Sequence, residues 1–176
     1  MKETIQLPFA QENPEDQAFL ERAIALSRLS LDDEGKGPFG AVVVVGGEVV
    51  GEGANSIVEC NDPTAHAEVM ALRSAGRALG RHLMEDAVLY ASSEPCPMCL
   101  VACYWARIPR LVYGANSRDA AVNGFEDLRY YRELTLPNED RALLDEVPVG
   151  GDLHANAAVT LAQWAAQSPD EVVPKF

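Results

Sequence analysis

Basic side chains are scarce in this chain. Its 14 Lys and Arg stand against 27 Asp and Glu, a formal net charge of −13 over 176 residues. Such a surface repels phosphate backbones at long range, which makes a nucleic-acid polymer a poor partner; a local basic groove stays compatible with the sum, and the acidity also serves solubility. Cysteine is scarce as well. Of four, Cys96, Cys99 and Cys103 fall within eight residues and Cys60 stands apart. That distribution suits metal binding or reduced thiols better than a disulfide framework. No apolar run approaches the roughly 20 residues of a membrane span. Met1-Lys2-Glu3-Thr4-Ile5-Gln6 has no apolar stretch behind its lysine, so no signal peptide is expected and the chain reads as cytoplasmic. Internal repeats and low-complexity linkers are missing too. What is present is ordinary for a globular protein: 48% hydrophobic and 23% charged residues, at a length that suits one domain, 1–176, with one core and no need of disulfides.

The pattern along the chain is α/β. Residues 1–12 read as an N-terminal arm. Asn13-Pro14 predicts a helix start, with Asn as cap and Pro in the first turn. Phe19, Leu20, Ala23, Ile24 and Leu26 follow at helical spacing until Gly35 and Gly37. The β-branched run Ala41-Val42-Val43-Val44-Val45 predicts a buried strand. Gly46-Gly47 predicts a hairpin turn into Glu48-Val49-Val50-Gly51. A helix is expected from Asp62-Pro63-Thr64 to about Leu79, a strand over Ala87-Val88-Leu89-Tyr90, a helix from Pro97 through Trp105, and a strand over Arg110-Leu111-Val112-Tyr113. Hairpin, helix, strand, helix, strand implies helices covering a mixed sheet. After Gly114 the chain is more polar, with a late helix expected at Ala157 to Ala166 and a C-terminal tail at 168–176.

Two short clusters carry the chemistry. His66-Ala67-Glu68 is followed, thirty residues on, by Cys96-Pro97-Met98-Cys99. Zinc favours tetrahedral nitrogen and sulfur ligands; a Cys-x-x-Cys turn supplies two sulfurs and a remote His a third bond. The fourth position then stays open for water, as a catalytic zinc requires. Cys103 could offer another sulfur, but it lies about 6 Å up the helix from Cys99 and reads as core. Both clusters fall at predicted helix starts, where free N–H groups and the positive dipole end favour thiolate. Mid-helix, His66 and Glu68 would face nearly opposite ways. In a first turn both can point around the open helix end, so two helix N-termini are expected to face each other across the metal. Glu68 beside an activated water can take a proton and deliver it to substrate and leaving group. The plainer role for such a Glu is to complement the helix dipole. His82 and His154 lack ligand spacing, and Cys60 reads as structural.

His-x-Glu with Pro-Cys-x-x-Cys is the zinc deaminase signature. Over about residues 13–130 the chain resembles the cytidine-deaminase-like superfamily, and within it the short bacterial guanine deaminases. The similar segments are Gly37-Pro38-Phe39-Gly40-Ala41-Val42, Asn61-Asp62-Pro63-Thr64-Ala65-His66-Ala67-Glu68, Ser93-Glu94-Pro95-Cys96-Pro97-Met98-Cys99-Leu100, Tyr104-Trp105-Ala106-Arg107 and Gly124-Phe125-Glu126-Asp127. The first three are shared in part with tRNA adenosine deaminases. The resemblance implies a three-layer α-β-α sandwich around a mixed sheet of about five strands. It implies one Zn2+ per chain on His66, Cys96 and Cys99, with Glu68 as proton shuttle. The implied reaction is hydrolytic deamination of a small nucleobase, guanine to xanthine and ammonia.

By the same resemblance Asn55 would hydrogen-bond the base, Phe39 would pack on its ring, Trp105 would line the pocket and Asp127 would read the polar edge of guanine. A homodimer is implied, in which an exchanged tail ending in Phe176 closes the partner's site. Each of these residues has a structural alternative: a core Phe39 and Trp105, a turn-forming Asn55, a solvent-facing Asp127, a frayed end at Phe176. The alternatives to guanine are a free nucleoside such as guanosine or cytidine, a pterin, a triazine, tRNA adenosine, or a zinc-bearing scaffold without catalysis.

Overall fold

The computed structural model describes residues 13–167. The arm 1–12 and the tail 168–176, Phe176 included, lie outside the described residues. The chain divides into two compact units, one up to Arg129 and one from Tyr130 onward.

Helix α1, Pro14–Ser27, starts where expected: the Asn13 side chain accepts from Glu15 N, and Pro14 takes the first position, where its missing N–H costs nothing. It stops short of Gly35. Arg28–Leu31 tighten into a 3-10 turn, and the hydroxyls of Ser27 and Ser30 donate back to the carbonyls of Ile24 and Ser27, the competition serine offers a helix. Strands β1, Gly37–Val45, and β2, Glu48–Asn55, form the expected hairpin, with positive φ at both Gly46 and Gly47 as a tight two-residue turn demands. Then come α2, Ile57–Cys60; α3, Ala67–Leu79; β3, Ala87–Ser93; α4, Pro97–Trp105; β4, Arg110–Ala115; α5, Ser117–Val122; and α6, Leu128–Leu134.

The sheet order is β2-β1-β3-β4. β1 pairs antiparallel with both β2 and β3, and β3 pairs parallel with β4. The sheet is mixed as expected but has four strands among the described residues, not about five. After β4 no apolar run of strand length follows. Asn116 and Asp119 instead form a reciprocal capping box that turns the chain into α5.

Alternation along the strands separates two faces. Val42, Val44 and Tyr90 pack with Phe19, Leu20 and Leu26 of α1. Ala41, Val43, Leu89 and Ala91 pack with Ala67, Ala71 and Ala75 of α3 and Cys103 of α4. The result is three layers, with α1 on one face and α3 and α4 on the other. The α3 contact is unusually close. A Cβ on Gly51 would lie 2.5 Å from the Ala71 carbonyl oxygen, and one on Gly53 would lie 2.2 Å from that of Ala67.

α3 begins at Ala67, later than the expected start at Asp62. Asp62 Oδ1 accepts from Thr64 N at 2.8 Å and Thr64 Oγ1 at 2.7 Å, an Asx turn that holds 62–64 outside the helix. Arg73, nearly two turns into α3, reaches back to Asp62 Oδ2 at 3.3 Å and Thr64 Oγ1 at 3.1 Å. In the second unit a 3-10 turn at Asn138–Asp140 precedes α7, Gly151–Gln167. α7 starts six residues before the expected Ala157, because Asp152 suits a first turn and nothing up to Ala157 breaks a helix. No helix among the described residues is long and apolar enough to cross a membrane.

A partly exposed tie fastens α1 to the sheet. Asp16 accepts both guanidinium N–H groups of Arg110, at 2.7 and 2.6 Å, and the Tyr90 hydroxyl at 2.8 Å. The Arg110 hydrogen bond holds the Asp16 carboxyl down from 3.8 to about 2, while burial, with Asp16 beside it, pushes Tyr90 up to about 12. A carboxyl depressed by folding stabilises the native state above its unfolded pKa, and that contribution is lost as pH falls through the folded value. Arg110 is half exposed, so solvent screening leaves about 1 kcal/mol. Asp16→Asn should therefore lower stability near neutral pH by about 1 kcal/mol and flatten the loss between the two pKa values. Urea unfolding at a series of pH values measures this. Parallel acid limbs in the two proteins would refute the tie.

Candidate metal and active site

The start of β1 and the ends of β2, β3 and β4 share one edge of the sheet, through the pairs Gly37↔Asn55 and Ser93↔Ala115. At that edge α3 and α4 begin. His66 is the N-cap of α3 and Cys96 the N-cap of α4, both with extended backbone. Neither spends its side chain on capping, whereas Asn13 and Asn116, at other helix starts, both do. The side chains of His66 and Cys96 are thereby kept for each other. His66 Nδ1 lies 3.6 Å from Cys96 Sγ, and Cys96 Sγ lies 3.6 Å from Cys99 Sγ. All three donor atoms fall within 4.8 Å of one another.

These spacings suit zinc. Bond lengths of about 2.3 Å to sulfur and 2.0–2.1 Å to nitrogen in a tetrahedron place ligand atoms about 3.6–3.8 Å apart. The proton chemistry agrees. Two sulfurs this close share a proton, which lowers the Cys96 pKa and raises that of Cys99. The same Cys96 sulfur holds the His66 imidazole above its usual value. A divalent cation held by His66, Cys96 and Cys99 would neutralise both thiolates and take the place of the shared proton. Cys103 is no part of the group. It is buried in the core beneath α4, and burial pushes its thiol up to about 12.

Glu68 is the second residue of α3 and is only 6% exposed. Burial pushes its carboxyl above the ordinary range, and a hydrogen bond from Cys99 opposes that. The expectation that His66 and Glu68 turn around one helix end towards Cys96 and Cys99 thus matches the geometry.

The expected substrate contacts divide. Asn55, the last residue of β2, is 4% exposed, and its Oδ1 accepts from Ile57 N at 3.3 Å. Phe39 packs against the core on the α3 face and meets Phe125 edge to face, with ring centroids 5.1 Å apart. Asp127, between α5 and α6, feels the charges of Cys96 and His66; burial pushes its carboxyl up and the Cys96 charge adds to this. The structure therefore gathers Asn55, Phe39 and Asp127 at the sheet edge that carries the cluster. It does not bring Trp105 there. Trp105 ends α4 and is 54% exposed, about 12 Å along the helix axis from Pro97.

Some neighbours of the site escaped the sequence reading. Phe125, the edge-to-face partner of Phe39, carries no signal in the sequence beyond its place in Gly124-Phe125-Glu126-Asp127. Lys36 Nζ donates to Ser56 Oγ at 3.0 Å and is ion-paired with Glu59, tying the approach to β1 to α2. Ser93, at the end of β3, has a buried hydroxyl with no hydrogen-bond partner among the described residues. By alternation it lies on the α3 and α4 face. Only the strand register could have flagged it.

Residues 13–115 match the family described as the cytidine and deoxycytidylate deaminase zinc-binding region, and the chain belongs to that family. It is 46% identical over 127 residues to a guanine deaminase of Bacillus subtilis, covering 72% of this chain and 81% of that protein. An X-ray structure of guanine deaminase from Bacillus subtilis superposes with a TM-score of 0.79 at 41% identity, covering 86% of this chain and 95% of that one. A tRNA-specific adenosine deaminase of Buchnera aphidicola is 42% identical over 94 residues, covering 53% of this chain and 62% of that protein.

The ligand set makes a direct prediction. The purified protein should bind about one zinc per chain. Cys96→Ala and Cys99→Ala should abolish stoichiometric binding, while Cys103→Ala should keep it and lose only stability. Metal analysis of the three variants measures this. Zinc retained by Cys96→Ala, or lost from a folded Cys103→Ala, would put the metal elsewhere.

Proposed function

We infer that this member of the deaminase family is a zinc-dependent aminohydrolase that converts guanine to xanthine and ammonia. The observation that carries the reading is the buried Glu68 carboxylate, set two residues beyond His66 at a helix end that faces Cys96 and Cys99. The identity to a guanine deaminase over most of the chain carries the choice of ring.

Zinc held by His66, Cys96 and Cys99 supplies Lewis-acid activation of water near neutral pH. Glu68 takes the water's proton and passes it to the ring nitrogen next to the carbon under attack. It then relays the second proton to the exocyclic amine, so that a C–O bond forms, the C–N bond breaks and ammonia leaves. Asn55 supplies hydrogen bonds to the base. With its Oδ1 accepting from Ile57 N, its Nδ2 hydrogens are left for a ligand acceptor. Phe39 offers a ring to pack against the purine. Asp127 accepts from the N–H groups of the guanine edge, where an unpaired donor would be costly.

The reaction is placed in the cytoplasm, in keeping with free thiols at the metal. The working form is a homodimer in which the tail from 168 to 176, with Phe176 at its end, closes the partner's site. In support, α7 leaves Leu153, Val159 and Leu161 exposed, apolar side chains that a second subunit would cover.

The relatives that act on tRNA make tRNA adenosine the second reading. The net charge of −13 opposes it through phosphate repulsion.

Ammonia release from a panel of bases, nucleosides, pterins, triazines and an adenosine-bearing tRNA separates these readings. Guanine should be turned over and tRNA should not. A nucleoside consumed while guanine is untouched would sink the purine-base assignment. Glu68→Gln should cut turnover by about 10²-fold or more with zinc still bound; surviving activity would remove Glu68 from the proton path. Deleting residues 170–176 should slow guanine turnover, and unchanged rates would take the tail out of the site.

A further inference from the structure

One glycine beside the site differs in kind from those under the helices. A Cβ at Gly51 or Gly53 would strike helix backbone, so a side chain there moves α3 bodily. A Cβ at Gly37 would instead lie 2.9 Å from Cγ and 2.9 Å from Oδ1 of Asn55, and 3.3 Å from its Cβ. Its three nearest atoms thus all belong to the Asn55 side chain. Gly37 and Asn55 are direct cross-strand partners, and the β1–β2 register shifts immediately after them, with Gly40 opposite Ala54. The offset pushes Pro38-Phe39 out of the ladder and leaves Gly37 as the wall against which the Asn55 carboxamide rests.

We propose that Gly37 is a positioning residue for substrate binding: its missing side chain is the space that the Asn55 carboxamide occupies when its Nδ2 hydrogens face the ligand. Among the described residues Asn55 is buried and its side chain is held by one hydrogen bond, from Ile57 N to Oδ1. A methyl at 37 displaces the carboxamide rather than the backbone, because the end of a side chain gives way more easily than a strand. Lys36, the residue before Gly37, ties to Ser56, the residue after Asn55. The two strand ends therefore cannot part to relieve the contact. The proposal rests on the reading of Asn55 as a base-binding residue.

The test is a double-mutant cycle on guanine with Gly37→Ala, Asn55→Ala and the pair, reading kcat and KM by ammonia release, zinc content and Tm. Gly37→Ala should lose about 10- to 100-fold in kcat/KM, the worth of a hydrogen bond or two in a buried site, chiefly through KM and with zinc content unchanged. In the Asn55→Ala background the same substitution should cost little further, because the Cγ and Oδ1 atoms at 2.9 Å are gone and only the 3.3 Å contact with Cβ stays. Any fall in Tm caused by Gly37→Ala should likewise shrink in that background. The proposal is overturned if Asn55→Ala is impaired but Gly37→Ala is not. It also fails if the two losses multiply, or if Gly37→Ala lowers Tm equally in both backgrounds. Full activity in Asn55→Ala would instead defeat the reading of Asn55, and the role of Gly37 with it.

Discussion

The site depends on how closely α3 lies on β2. Gly51 and Gly53 present bare backbone to α3, and Ala67, Ala71 and Ala75 present only methyl groups in return. No larger pair of surfaces would bring the Ala67 carbonyl so near the strand. The tight contact fixes the position of the first turn of α3 relative to the sheet edge, and the first turn is what carries His66 and Glu68. Had Leu stood where Ala67 or Ala71 does, the helix would ride higher, and the 3.6 Å spacing of His66 Nδ1 from Cys96 Sγ would open. Close packing tolerates little adjustment, which is why it can act as a ruler.

Two helix starts meeting at one point would normally be unfavourable, since each concentrates partial positive charge. Here that charge is useful. It favours thiolate at Cys96 and Cys99, and it receives a carboxylate, Glu68, at the second position of α3. Burial works against Glu68 and raises its pKa, whereas the backbone N–H at its own helix start lowers it. A carboxyl held between such opposing influences is suited to giving and taking a proton. The economy of His66 and Cys96, N-caps whose side chains cap nothing, follows from the same arrangement. A side chain that bonds its own helix is unavailable to an ion.

The legible parts of the sequence were those fixed by local pattern. His66-x-Glu68 and Cys96-x-x-Cys99 each lie within one turn, so spacing alone set their geometry. Pro97 to Trp105 was exact because proline marks a first turn, and Val42 to Val45 could be little else than a buried strand. The misjudged parts were settled by side chains acting across a turn. Asp62 and Thr64 form an Asx turn where a capped helix start was expected. Ser27 and Ser30 end α1 early, and the Asn116–Asp119 box takes the chain away from a fifth strand. The close approach at Gly51 and Gly53 was invisible, since a glycine in a strand does not announce what crosses it. Trp105 was expected at the pocket from its motif alone, and within this chain it stands at the opposite end of α4 from Cys96.

The metal half and the proposed recognition half of the site are built from different elements. His66, Glu68, Cys96 and Cys99 come from two helix starts set by packing against the sheet. Asn55 and Phe39 come from strand ends, and Asp127 comes from the connection between α5 and α6. The family match ends at residue 115, so it spans the whole metal half and stops before Asp127. Asn55 and Phe39 also fall inside the match, which leaves Asp127 as the proposed base contact that stands beyond it. A substitution at a strand end or in that connection can alter the shape offered to a substrate without moving α3 or α4. The elements that hold the ion, by contrast, cannot shift without disturbing the core beneath them. Physical coupling to the core thus keeps the reaction constant, and weaker coupling at the sheet edge leaves the substrate open to change.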